Sequence, residues 1–333
     1  MRLRTAVIGL GRWWETRHRP ALRSLVDRFE VRAVSSSVGL LAEQAANDFR
    51  CRAVDGFHAI ACRPDIDAVL ILDRQWYSPL PIIAASEHGK AVYCSTTLEL
   101  PGDQALEVKR RVDASGVAFM AELPRRQAPA TQRLKELIAT RLGQPKLIFC
   151  HQRAMTRKAG TPPTDGVTTL LEQVDWCRYV MGREVAGVTA ISHEGGKGEE
   201  DHFQLSLDFR DGPETTCGKA HVAHISYGTH VRPEWPEAAS FRPPADLQVC
   251  CEHGVAFVDL PATVTWFDAA GRHLESLEHD RPVGEQLLNL FHRSVTSLVR
   301  RTSGLADACL ALRIVAAARE SAETCQRQLI SVE

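Results

Sequence analysis

The chain has 333 residues, a length that accommodates about two domains. Hydrophobic residues make up 44% and charged residues 24%, and 40 basic side chains offset 41 acidic ones to leave a net charge of −1. This balance excludes a bulk field that would draw the chain to nucleic acid or to an anionic membrane surface. Seven of the basic residues are lysines, so chemistry that needs an amine has a short supply.

In chain order, the first 120 residues alternate strand and helix patterns. Thr5–Ile8 is a short apolar run that ends at Gly9, as a buried strand does. Ala21, Leu22, Leu25 and Val26 give helical spacing behind Pro20. Strands are predicted at 31–34, 52–54, 67–72, 91–94 and 117–120. Helices are predicted over 40–49, 80–88 and 101–115, the last two followed by Gly89 and Gly116. Such alternation predicts an α/β fold, a Rossmann-type doubly wound parallel sheet with helices on both faces. This domain is expected over 1–122.

The pattern changes beyond it. Helices are predicted at 130–142 and 167–181, then longer strands at 146–153, 185–192, 203–209, 215–226, 247–251 and 255–268. His253-Gly254 reads as a hairpin turn, and the proline-bearing stretch 233–244 as a surface loop. The last fifty residues are helical in pattern, at 284–300 and 304–328. The expectation is a C-terminal α+β domain over 123–333 with a mostly antiparallel open sheet, its final helix packing back on the first domain.

The ten cysteines contain no C-x-x-C and match no zinc-ligand spacing. They read as reduced thiols, several of them inside apolar runs, with no metal set. His221 and His224 lie an odd interval apart, so on a regular strand they face opposite sides. The apolar run 6–11 is too short for a signal segment, and no run approaches 18 apolar residues. A cytoplasmic protein with no membrane partner is expected.

Gly9-Leu10-Gly11 falls between a strand and a helix, where a dinucleotide fingerprint belongs. The first glycine permits the tight turn, and the second lets backbone approach a pyrophosphate at the helix N-terminus. The third small position of that fingerprint is Trp14. Arg12 and Trp13 complete the loop as candidate cofactor contacts.

The segment AVIGLGRWWETRHRPAL, residues 6–22, resembles the opening of the glucose–fructose oxidoreductase / inositol dehydrogenase / MocA family. Residues 67–90, 89–94, 126–143 and 311–322 resemble further parts of that family in order. The resemblance implies NAD- or NADP-dependent chemistry on a small polar molecule such as a sugar or polyol. It also implies a homo-oligomer formed through the second-domain sheet.

Several positions depart from the family pattern. Its Glu-Lys-Pro falls on Ser95-Thr96-Thr97, and a threonine hydroxyl is a poor acid or base at neutral pH. Ser36 stands where a carboxylate often holds the ribose, so NADP is not excluded. Asp73-Arg74-Gln75 replaces a Thr-Pro-Asn stretch that lies along the cofactor. In the family's D-x-G-x-H-x-x-D helix only Asp175 matches, with Glu172 at the histidine. Glu172 and Asp175 share a helix face, where they are candidates for a general base, a coupled carboxylate pair or a cation site. Arg125-Arg126 is placed to clamp an anionic substrate or to form an ion pair. Two functions remain open: an oxidoreductase whose acid–base work passes to Glu172, Asp175, Asp73 or Arg126, and a non-catalytic ligand-binding or scaffold homologue.

Overall fold

The computed structural model describes residues 1–73, 79–95, 102–155, 166–194, 200–209, 221–231, 245–297 and 302–331. Two compact units emerge, Met1–Pro124 with Arg281–Leu312, and Arg125–Asp280 with Arg313–Glu333. Residues 281–312 were expected in the second domain and group instead with the first. The cause is apolar burial. Leu287, Leu288 and Phe291 are almost inaccessible and share a core with Leu22, Leu70 and Tyr93.

The first unit is a seven-stranded sheet. Its strands are β1 (Leu3–Ile8), β2 (Phe29–Ser35), β3 (Arg52–Ala53), β4 (Ala68–Ile71), β5 (Ala91–Cys94), β6 (Phe119–Ala121) and β15 (Thr302–Ser303). They lie in the order β15-β6-β5-β4-β1-β2-β3, and every pairing is parallel. Helices α1 (Arg19–Ser24), α2 (Gly39–Phe49), α3 (Phe57–Ala61), α4 (Leu80–Glu87) and α5 (Gly102–Ser115) fall between strands. Alternate side chains enter two cores, because strand residues point to opposite faces in turn. Val69, Ile71, Val92 and Phe119 fill one, and Val7, Leu70, Tyr93 and Met120 fill the other. The chain builds outward from β1 to β3 and then crosses to β4, so β1 and β4 flank the topological switch point.

In the second unit, α6 (Pro129–Leu137) and α7 (Gly166–Met181) accompany a nine-stranded sheet. The strands are β7 (Pro145–Met155), β8 (Val185–Glu194), β9 (Glu200–Phe209), β10 (His221–Val231), β11 (Leu247–Cys251), β12 (Val255–Asp259), β13 (Thr263–Asp268), β14 (Gly271–Ser276) and β16 (Gln328–Leu329). Their order is β14-β13-β12-β11-β7-β10-β9-β8-β16, antiparallel throughout except for the parallel pair β7–β10. The long strand expected over 255–268 is two strands, because Pro261 removes a ladder donor and the chain turns there. The closing helices are α8 (Val283–Thr296) and α9 (Leu305–Thr324). No described helix is long and apolar enough to cross a membrane.

Candidate functional site

The C-terminal edge of the first sheet gathers the sequence-derived loop residues. Gly9 has φ +77°, and a Cβ there would stand 2.5 Å from the Asp73 Cβ. A Cβ on Gly11 would lie 2.1 Å from the Leu72 carbonyl oxygen. Both glycines are therefore required by the close approach of the loop to the end of β4. The Gly9 N–H donates to the Ser35 carbonyl at 2.8 Å, tying the loop to β2 as well. Ser95 joins the same edge, its hydroxyl donating to the Leu72 carbonyl at 3.1 Å. The Ser36 hydroxyl oxygen accepts the Val38 N–H at 3.3 Å and retains its own O–H as a donor. Arg74 and Thr96 lie outside the described residues.

Trp14 occupies the small-residue position without obstructing the loop. It turns inward, only 5% exposed, and its ring lies 5.9 Å from that of Phe49. The first turn after the loop, Trp14–His18, is π-wound, and α1 follows directly. This wider winding accommodates the tryptophan beneath the loop. Trp13 faces outward between the guanidinium groups of Arg12 and Arg17, 4.8 Å and 4.6 Å from its ring centre.

The cradle fits a diphosphate group. The Gly11 and Trp13 N–H groups find no acceptor among the described residues, at the head of a helical segment that carries a positive partial charge. Arg12 adds a full positive charge beside them. A Gly11→Ala replacement is expected to destabilise the chain by about 1–3 kcal/mol, as overpacking against fixed backbone does. It is expected to weaken dinucleotide binding as well. Denaturant unfolding and cofactor titration of the variant check both.

Behind the loop is a buried polar cluster that sequence reading missed. Glu122, immediately after β6, is 1% exposed. Its carboxylate accepts the Tyr93 hydroxyl at 2.9 Å, meets the His18 Nε2 at 2.9 Å and pairs with the Arg17 guanidinium. Burial works to raise the Glu122 pKa, but His18, Arg17 and the Tyr93 hydroxyl together outweigh it and hold the carboxyl below its ordinary value. Burial, reinforced by Glu122, pushes the Tyr93 phenol well above its ordinary value. One ionisable residue beside the apolar run Val117–Ala121 was the available signal, and spacing could not name its partners.

The second unit brings together the other candidates. Asp175, 2% exposed on α7, is held by Arg126, whose Nε donates to it at 2.8 Å while a second guanidinium nitrogen completes a bidentate pair. Glu172 accepts from the Arg125 Nε at 3.2 Å, and the same guanidinium reaches Gln152 at 3.2 Å. Arg126 also lies over the Tyr179 ring at 5.1 Å. The two carboxylates do share a helix face, but each is engaged by its own arginine. For Arg125-Arg126 the ion-pair alternative is the one seen in the structure. Consecutive arginines meet carboxylates three residues apart on one helical turn, so the four charges neutralise in two pairs. Gln173, one residue beyond Glu172, is 1% exposed, and its Oε1 has no hydrogen-bond partner among the described residues.

Nine of the ten cysteines are described, and none of these nine is in a disulfide. The Cys150 and Cys177 sulfurs lie 3.5 Å apart, and burial pushes the Cys177 thiol well up, which keeps it unreactive. The His221 Nδ1–H donates to the Pro145 carbonyl at 2.8 Å while His224 stacks on Phe149, so the two act separately.

A doubly wound parallel sheet with a glycine cradle at its switch point, joined in one chain to an open mixed sheet, has the architecture of the dinucleotide-binding class. Residues 3–123 match the oxidoreductase family GFO_IDH_MocA, with its NAD-binding Rossmann fold. Residues 3–123 are thus similar to this family, and the chain spans less than two thirds of the length of the Mycolicibacterium inositol 2-dehydrogenases it matches. It is 31% identical over 211 residues to an inositol 2-dehydrogenase of Mycolicibacterium smegmatis, a match covering 61% of this chain and 59% of that protein. With the scyllo-inositol 2-dehydrogenase (NAD(+)) of Bacillus subtilis it shares 27% identity over 253 residues, 70% of each chain. The fold also matches the aldose-aldose oxidoreductase of Caulobacter crescentus, with a TM-score of 0.82 over 99% of this chain and 100% of that one at 14% identity.

Proposed function

We propose that this chain binds NAD or NADP at the Gly9–Gly11 edge and takes a small polyhydroxylated ligand of the sugar or polyol class. We further infer that it lacks the acid–base machinery for efficient turnover. The observation that carries this reading is the pairing of Glu172 with Arg125 and of Asp175 with Arg126.

Bound nicotinamide supplies or accepts a hydride, and alcohol oxidation also needs a group that removes the hydroxyl proton. Thr96 stands at the family's lysine position and Glu172 at its histidine. A threonine hydroxyl neither gives up nor takes on a proton readily at neutral pH, and Glu172 is paired with its arginine. The residues that remain fit binding. Gly9, Gly11 and Arg12 suit the diphosphate, Ser36 offers a hydroxyl to the ribose without repelling a 2′-phosphate, and Asp73 and Ser95 frame the edge. Both cofactors are therefore accommodated. The Gln173 Oε1, without a partner among the described residues, offers an acceptor to a ligand hydroxyl.

Oligomerisation through the second sheet belongs to the same reading. Strand register places Leu147, Phe149, Ile191, Phe267 and Leu274 on one face, and Ile191 and Leu274 are 68% and 61% exposed. A second copy covering that face would remove apolar surface from water.

Fluorescence titration with NADH and NADPH is expected to show saturation by both below about 1 mM, a free energy of about −4 kcal/mol. With inositols or aldoses and oxidised cofactor, absorbance at the reduced-nicotinamide band is expected to rise at least about 100-fold more slowly than for an inositol dehydrogenase, the usual contribution of one acid–base group. Turnover within tenfold of such an enzyme overturns the loss of turnover, and absent saturation overturns cofactor binding.

A further inference from the structure

We propose that His58, Cys62 and His88 form a zinc site on the first unit, apart from the dinucleotide edge. They are the one set of three metal-ligating side chains brought together among the described residues, and all three are exposed. One potential donor atom from each lies within 4.8 Å of the others.

The backbone explains why they meet. α3 places His58 and Cys62 four residues apart, on the same face one turn from each other. His88 caps the C-terminal end of α4, which packs beside α3, and the His58 and His88 rings meet edge to face at 5.6 Å. The Cys62 sulfur lies 3.6 Å from the His58 Nδ1 and 3.3 Å from the His88 Nε2. Zinc bonds of about 2.05 Å to nitrogen and 2.3 Å to sulfur, at tetrahedral angles, separate such ligands by about 3.6 Å. The atoms thus stand near ligating distance before any ion binds.

Two further contacts prepare the site. The His88 Nδ1 lies 2.8 Å from the Ala84 carbonyl, so Nδ1 carries the proton and the Nε2 lone pair faces Cys62. This backbone–histidine arrangement fixes the tautomer that a metal requires. Lys90 donates from Nζ to the Arg63 carbonyl at 2.7 Å and to the Ile66 carbonyl at 2.9 Å. It ties the chain just after Cys62 to the chain just after His88. Ile60 and Ala85, both fully buried, seat the two helices on the sheet below. The ligands therefore rest on packed elements, as a preorganised site needs.

Ligand chemistry selects the ion. Two imidazoles and a thiolate favour zinc over magnesium or calcium, which take oxygen ligands. Binding converts the Cys62 thiol to thiolate and releases its proton to solvent, with no change of oxidation state. Three protein ligands leave a fourth position for water. The strand entries after α3 and α4 lie at the N-terminal edge of β4 and β5, opposite the edge that carries Gly9, Asp73 and Ser95. The site's role is consequently separate from hydride chemistry.

The test uses the full chain, reduced and freed of metal by a chelator. Zinc competition against a chromophoric chelator is expected to show one tight equivalent, with one proton released per ion. Cobalt(II) is expected to give a thiolate charge-transfer band and the visible bands of tetrahedral cobalt. Cys62→Ser is expected to abolish that band and weaken zinc binding at least about 100-fold, more than loss of an outer-shell partner usually costs. His58→Ala and His88→Ala are expected to weaken zinc binding while leaving the free thiol titratable. All three side chains are exposed, so circular dichroism and thermal melts should show folded variants. A cobalt spectrum without the thiolate band overturns the site, as does zinc binding unchanged by Cys62→Ser.

Discussion

Glu122→Ala is expected to destabilise the chain by about 3–5 kcal/mol, the range for breaking a buried ion pair by removing one partner. The carboxylate is the common acceptor for Arg17, His18 and the Tyr93 hydroxyl, and its side chain is fully inaccessible. Truncation leaves the nearly inaccessible His18 and Tyr93 with polar atoms that water cannot reach. Denaturant unfolding of variant and parent reads the difference directly. A loss below about 1 kcal/mol, the size of an ordinary surface pair, would contradict the proposed weight of the cluster.

The pH dependence has a definite sign. The folded-state pKa of Glu122 is depressed, so the unfolded chain binds the proton more readily. Its contribution is complete above the unfolded glutamate value of about 4.3 and is lost as pH falls through the lower folded value. Glu122→Gln is accordingly expected to flatten the acid limb of stability below that pH while lowering stability near neutrality. Unfolding curves across the acid range test this, and an acid limb unchanged in the glutamine variant would remove Glu122 as its source. Tyr93→Phe is expected to cost less, about 1.5–3 kcal/mol, because it deletes one hydrogen bond to a charged acceptor.

Asp175→Ala is expected to be comparably severe, about 3–5 kcal/mol, because it breaks a mostly buried bidentate ion pair by removing one partner. The Arg126 side chain is 15% exposed and that of Asp175 is 3% exposed. Arg126→Ala removes the bidentate partner of that carboxylate. The double variant is expected to cost less than the sum of the single ones, with a coupling of about 0.5–3 kcal/mol. A double-mutant cycle in denaturant gives this number. Additive single losses would show that the two charges do not depend on one another, and would reopen a direct chemical role for Asp175. This result bears on function, since the inferred loss of turnover rests on arginines holding these carboxylates.

Much of the first unit was legible because its signals are local. Apolar runs of four to six residues, each followed by glycine or by helical spacing, identify parallel strands without knowledge of their neighbours. Gly9-Leu10-Gly11 could be placed at a strand end for the same reason. Trp14 could not be interpreted locally. Whether a tryptophan at a small-residue position blocks the loop depends on which way it turns, and the π-wound segment with Phe49 behind it turns it inward. The second sheet was legible as strands but not as an order. The parallel pairing of β7 with β10 joins segments some seventy residues apart, and no short-range pattern encodes it.

The candidate site divides along the same line. Sequence alone determined which side chains are available: no lysine at 95–97, serines at 35–37, and carboxylates at 172 and 175. Those are properties of side chains and hold in any fold. Only tertiary structure decided what each group is joined to. It paired Glu172 with Arg125 and Asp175 with Arg126, gathered Arg17, His18 and Tyr93 on Glu122, and set His88 beside His58 and Cys62. Spacing along the chain fixes neighbours only within a turn or a strand. Charge pairing and ligand geometry act over a few ångströms of space, and residues 104 or 26 positions apart are brought within that range only when helices and strands pack.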